Sequence, residues 1–381
     1  MAVATLREFR GARLRDYSEL WRESMRGFLL VISMLLGSAL YAQTGEGESA
    51  AGVVFGEVVS EVEAHYAGFF DKVTPVTRPS YEAMVEGLRA GVSGRNVEAS
   101  IGKYIGWFQD LHLSVLLGGK RLVSYERRPV NYADSMVYKP QSFAGRVDGN
   151  CFLIRIPSMR VQDGTRKFIA KAVRQFKRSG CPFLIIDLRG NSGGSDGVYH
   201  PLVELAYDHP ALVKGTSFRN TEKNRAFLLE GMKGNRPIRE ALEESAGRPD
   251  SMAVLREDYL RAFKRVSPVP RRIAVLIDNQ VASNAEHLIL DLQGVSGRVV
   301  LYGRDPSLGV VDYVNPRPFA VPSLDLVVMI PTCRSGRLPE HPIDPAGIAP
   351  DVTVPLPLPE ELTGNIDTWT RWVAGEMAAA E

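Results

Sequence analysis

Cysteine is scarce in this chain: Cys151, Cys181 and Cys333 are the only three in 381 residues, and an odd number argues against a disulfide framework. Cys151 and Cys181 stand at strand entrances and read as small buried hydrophobes, and no cysteine lies in a glycine-rich turn, so a thiol nucleophile is not expected. Charge of one sign is also missing. The formal net charge is +2, and no basic tract interleaves with aromatics, so no nucleic-acid partner is expected. No P-loop and no Cys/His zinc spacing occur, and neither a metal nor an organic cofactor is expected. Long apolar runs are limited to 27–42 (GFLLVISMLLGSALYA), whose apolar core is shorter than the about 20 residues that span a bilayer. It follows Met25-Arg26 and ends in small residues, the pattern of a secretory signal cleaved after Ala39 or Ala42. The expectation is an exported chain, periplasmic or extracellular, with no stable membrane span after cleavage. Residues 1–24 are arginine-rich and unlike a signal n-region, which favours Met25 as the start, and 44–52 reads as a flexible leader.

With 45% hydrophobic and 24% charged residues, the chain can bury a substantial core in one large domain or two. Helical apolar spacing (Val58, Val62, Tyr66; then Ile101, Ile105, Phe108) predicts an N-terminal helical domain over 43–125. Strands and helices then alternate: strand 152–156, helix 165–177, strand 183–188, strand 273–277, a helix from Ser283, strand 298–302 and an antiparallel pair near 324–330. The fold class is α/β, with the α/β domain over 145–356 and a helical tail over 357–381. A long insertion at about 214–270 has charged helical spacing in 225–244 and 252–266 and is placed to cover a cleft or to decorate the surface.

In RRIAVLIDNQVASNAEHLIL (271–290) an apolar strand runs through a short polar turn into a helix that opens at Ser283. A hydroxyl there projects beyond the sheet edge, beside free N–H groups and the positive end of a helix dipole. Ser283 to Glu286 also fits an S-x-x-E capping box, the structural alternative. A second turn, in FLIIDLRGNSGGSDG (183–197), follows another apolar strand, and Gly193 and Gly194 let backbone approach a ligand. Loops after parallel strands share one sheet edge, so a Gly193 or Gly194 N–H can converge with that of Asn284 as an oxyanion hole.

DLRGNSGG, VASNAE and the late GIAPDVTV (347–354) together resemble the S41 serine peptidases, which include the tail-specific (C-terminal processing) proteases and the tricorn core. The resemblance covers roughly 57–355 and implies a ClpP/crotonase-like spiral of βαβ units with Ser283 as nucleophile. Tail-specific members pair the serine with a lysine after a G-x-x-[TS]-x-G turn. Here that turn is 303–309 and Val310 follows it, so the lysine base is ruled out at that position. Between His112 and the DLRGNSGG strand there is no room for a PDZ domain.

Asp110-Leu111-His112-Leu113-Ser114 resembles the histidine segment of the tricorn branch, which makes His112 the expected general base and acid. Leu111 replaces the serine that precedes the histidine there. Glu340 is the expected orienting carboxylate, with Glu286 as its rival. Of the other histidines, His287 lies one turn past Ser283 and is expected to pack, His341 needs its loop to fold inward, and His65, His200 and His209 read as ordinary positions. The expectation is a serine peptidase acting on a peptide or unfolded protein. A non-catalytic S41-like protein that holds a peptide or apolar ligand in the same cleft is the alternative, and an acyl-CoA enzyme on the related crotonase core is a weaker third.

Overall fold

The computed structural model describes residues 49–122 and 140–379, apart from 196, 233, 249–250, 358 and 360–365. The signal-like run lies outside the described residues. Four helices come first: α1 (Ala50–His65), α2 (Phe69–Lys72), α3 (Arg78–Gly91) and α4 (Val97–Trp107). They do not stand alone. The chain continues into β1 (Ser114–Leu117) and β2 (Lys120–Leu122), and Phe55, Val58, Val62, Ile101 and Ile105 share one core with Tyr313, Val328 and Ile330 from late in the sequence.

β3 (Phe143–Arg146), β4 (Cys151–Arg155), α5 (Thr165–Ser179), β5 (Phe183–Asp187) and α6 (His200–Ala206) begin the α/β part. The insertion follows as β6 (Ala211–Val213), β7 (Thr216–Arg219), α7 (Glu222–Gly231), α8 (Arg236–Glu244), β8 (Met252–Arg256) and β9 (Tyr259–Arg261). The helical expectation for 252–266 is therefore wrong: β8 pairs with β7 and β9 with β6. Cross-strand pairing has overridden a charge spacing that suited a helix. The chain ends with β10 (Arg272–Leu276), α9 (Asn284–Val295), β11 (Val299–Gly303), β12 (Tyr313–Val321), β13 (Leu326–Ser335), β14 (Val352–Thr353) and α10 (Thr368–Ala379).

The central sheet has the order β14-β11-β10-β5-β4-β3, parallel except for the β3–β4 pair. Both faces are covered, as parallel sheets require. Phe152, Ile154, Leu184, Ile186, Ile273 and Val275 pack with Ile169 of α5, Leu202 of α6 and Leu288 of α9, while Cys151, Leu153, Phe183 and Ile185 pack against Trp369 and Val373 of α10. All three cysteines are buried and free. The second sheet, β2-β1-β13-β7-β8 with β12 beside β13, carries the N-terminal helices.

Candidate active site

Ser283 closes the turn between β10 and α9 with φ +56° and ψ −123°, a conformation that costs a non-glycine residue about 1–3 kcal/mol. Glu286 holds it there. Its buried carboxylate accepts the Ser283 N–H at Oε2 (2.9 Å), the Val310 N–H at Oε2 (2.9 Å), and the Ser307 hydroxyl and Gly309 N–H at Oε1 (2.6 and 2.7 Å). Glu286 thus fastens the serine turn to the 303–309 turn, and Leu308 N–H adds a 2.7 Å bond to the Val281 carbonyl. Burial raises the Glu286 pKa, against the pull of these donors.

The glycine turn packs directly on this elbow. A Cβ on Gly193 would lie 2.8 Å from Ser283 Cβ and 3.0 Å from Asn284 N, so only glycine, here with φ +92°, lets the two turns touch. Buried Asn191 fixes the contact: its Nδ2 donates to the Ile156 carbonyl (2.7 Å), its Oδ1 accepts the Gly193 N–H (2.9 Å), and its carbonyl accepts the Ala282 N–H (3.1 Å). Gly193 N–H is therefore spent. Among the described residues neither the Gly194 N–H nor the Asn284 N–H donates to protein, whereas the Asn284 side chain donates to the Gly194 carbonyl.

His112 sits just ahead of β1. The chain leaves α4 through Gln109 at φ +50°, and buried Asp110 shapes the loop by accepting the Tyr66 hydroxyl and the His112 N–H, each at 2.8 Å. His112 Nδ1 lies 2.5 Å from the Tyr313 carbonyl, which can only accept, so Nδ1 carries the proton and Nε2 keeps its lone pair. Burial lowers the His112 pKa, outweighing the nearby Asp110 charge.

The structure brings neither expected glutamate to His112. Glu340 is exposed, and Glu286 is committed to the elbow. In place of a carboxylate, a backbone carbonyl orients the imidazole; no side-chain letter in the sequence could have signalled it. Its carrier strand is pinned next door, where Asp312 accepts the Ile343 and Asp344 N–H groups (2.6 and 2.8 Å) and Asp344 accepts those of Val311 and Asp312 (2.7 and 3.1 Å). Burial, then Asp110 and Asp312, push Asp344 up to about 8. Asn191 was also missed as a role, although it lies within the quoted DLRGNSGG. Val310 is buried beside Glu286.

Ser283, Asn284, Gly194, His112 and His287 line one cleft of about 1450 Å³, and residues of the insertion, from Leu212 to Arg261, form another part of its wall. Among the described residues no group of His, Cys, Asp and Glu is placed to share a metal ion, and no helix is long and apolar enough to cross a membrane.

Residues 150–354, which carry the serine elbow, the glycine turn and the Glu286 clasp, match the model of peptidase family S41. The chain belongs to peptidase family S41. No curated protein sequence matches it significantly. Among solved structures, a candidate peptidase from Parabacteroides merdae aligns with a TM-score of 0.54 at 14% identity, over 80% of this chain and 90% of that one. Mature CPAF aligns with a TM-score of 0.52 at 12% identity, over 80% and 93%. At such identities the likeness is one of fold. The S41 assignment itself indicates a serine-type peptidase.

Proposed function

We propose that this chain is an exported serine peptidase that hydrolyses peptide bonds with Ser283 as nucleophile and His112 as general base. The observation that carries the reading is the Ser283 elbow, where the expected capping box with Glu286 is present but the serine is also held in strained torsions that a cap alone does not require, which supports a functional hydroxyl. In this reaction Ser283 Oγ attacks the peptide carbonyl and its proton passes to Nε2 of His112. The Gly194 and Asn284 N–H groups receive the oxyanion, a contribution of about 3–4 kcal/mol for one such donor. His112 then protonates the leaving amine, and water, activated by the same imidazole, hydrolyses the acyl-enzyme. Tyr313 holds the productive tautomer. Glu286 acts on geometry, keeping Ser283 in place, and Val310 leaves no room for a lysine-based mechanism at its position. The signal-like run at 27–42 supports export.

The test is to incubate the protein with denatured proteins and read new termini by mass spectrometry, beside Ser283→Ala and His112→Ala. Loss of cleavage in both variants, with melting temperatures near that of the wild type, is expected. Cleavage that survives either substitution contradicts the assignment, and a silent wild type that retains peptides favours the binding-protein alternative.

A further inference from the structure

The cleft face of α9 presents Ser283, His287, Leu290, Asp291 and Gly294, a helical stripe that forms the cleft floor. His287 is one turn from Ser283, about 6 Å along the helix axis. Four arginines line the same cleft, exposed Arg248 among them, and the charges of three act on His287: Arg256 at the end of β8, Arg261 on β9 and Arg337 after β13. Arg261 has its charge matched by an ion pair with Asp291 and donates a 2.7 Å bond to the Tyr259 hydroxyl, although its Nη1 is buried without a hydrogen-bond partner. The other two keep donors in reserve. Arg256 is exposed and rests on the Tyr259 ring, 5.6 Å from its centroid, with no ion pair among the described residues. Arg337 spends Nη2 on Asp312 (2.7 Å), but its Nε is buried without a hydrogen-bond partner.

A buried donor left unpaired is costly, because it has given up its water without gaining a partner, so it calls for a missing acceptor. The guanidinium fork matches a carboxylate, which can take two parallel N–H bonds. We infer that Arg256 and Arg337, with the His287 imidazole beside them, form a subsite for a substrate carboxylate one helical turn from Ser283. The proposal deepens the peptidase reading and rests on it for the word substrate. Burial and then the Arg337 and Arg256 charges push the His287 pKa down to about 3, so the ring is neutral and the strongest charges around it are cationic. The carboxylate belongs either to a free chain terminus, making the cut tail-proximal, or to an Asp or Glu side chain near the scissile bond.

The test is retention of a randomised decapeptide library on immobilised protein carrying Ser283→Ala, read by mass spectrometry, with the library made as free acids and as C-terminal amides. Carboxylate-bearing peptides are expected to be retained about tenfold or more over neutral ones, the worth of one hydrogen bond to a charged group. Arg256→Glu, at an exposed position, is expected to abolish that preference, and Arg337→Gln to weaken it. A preference for acids over amides assigns a chain terminus; a preference for Asp and Glu over Asn and Gln in the amide library assigns a side chain. Equal retention of all classes, or a preference unchanged by Arg256→Glu, overturns the subsite. Cleavage by the wild type is scored separately on the same library, so acid-selective retention without cleavage sinks the peptidase reading alone.

Discussion

At the scale of single residues, the site depends on a strained serine and the carboxylate that holds it. Glu286→Gln puts an NH2 against two of the four donors that converge on that carboxylate. The expected loss is about 1–3 kcal/mol of stability in urea unfolding, with activity falling further than that loss explains, because Ser283 is freed to relax. Gly193→Ala is expected to abolish activity while the protein still folds, since the added Cβ meets the Ala282 carbonyl and Ser283 Cβ, each at 2.8 Å; circular dichroism and a peptidase assay separate the two. Because burial lowers the His112 pKa from its ordinary 6.5, its neutral, base-competent form persists to lower pH. The acid limb of kcat/KM against pH is expected to have its midpoint below 6.5; a midpoint above 7 contradicts the assignment of His112. The positions of the Ser283 and glycine turns and of His112 were legible because they are written in side chains and turn residues, whereas nothing in the sequence could show that the Gly193 N–H, one of the expected oxyanion donors, is spent on Asn191. Tyr313 was not, since its contribution is a carbonyl common to every residue, and Glu286 was read as a rival orienter because three of its partners lie on a loop distant in sequence.

At the scale of elements, the parallel strands were legible: short runs such as Phe183–Asp187, buried throughout, admit few other readings. β8 was not, because an edge strand owes its form to its neighbour β7 and has no strong pattern of its own. The attachment of α10 was equally hidden. Asp367 caps that helix, accepting the Trp369 and Thr370 N–H groups (3.0 and 3.1 Å), and also binds Arg155 and Arg189 at 2.8 and 2.7 Å. Both arginines also bind Asp187; although burial opposes its ionisation, their charges bring Asp187 down to about 2. Asp367→Asn leaves this buried cluster one charge short and weakens the cap. A loss of about 3–5 kcal/mol in chemical denaturation is expected, and a change under 1 kcal/mol would mean that solvent already compensates the cluster.

At the scale of the whole molecule, the cleft joins the end of the N-terminal helices, the α9 elbow and the insertion, an assembly that no local pattern spells out. It also sets a pH dependence of stability. His112 and His287 both have folded-state pKa values below 6.5, so the unfolded chain binds more protons between the folded values and 6.5. Their contribution is complete above 6.5 and is lost as pH falls toward the folded values. Asp344, pushed up to about 8, acts in the opposite sense over this range, so the His287 share is read as a difference: from pH 7 to pH 5 the melting temperature of His287→Gln is expected to lose less than that of the wild type, and an identical change in both would show that His287 is not held neutral.

The most direct test of the central claim is intact-mass and peptide mapping of the protein after treatment with a fluorophosphonate, which reacts with activated serine hydroxyls. The account predicts a single adduct on Ser283 that forms far more slowly in His112→Ala and below the His112 pKa. An unmodified protein at neutral pH, or an adduct on Ser283 whose rate is indifferent to His112, would contradict it.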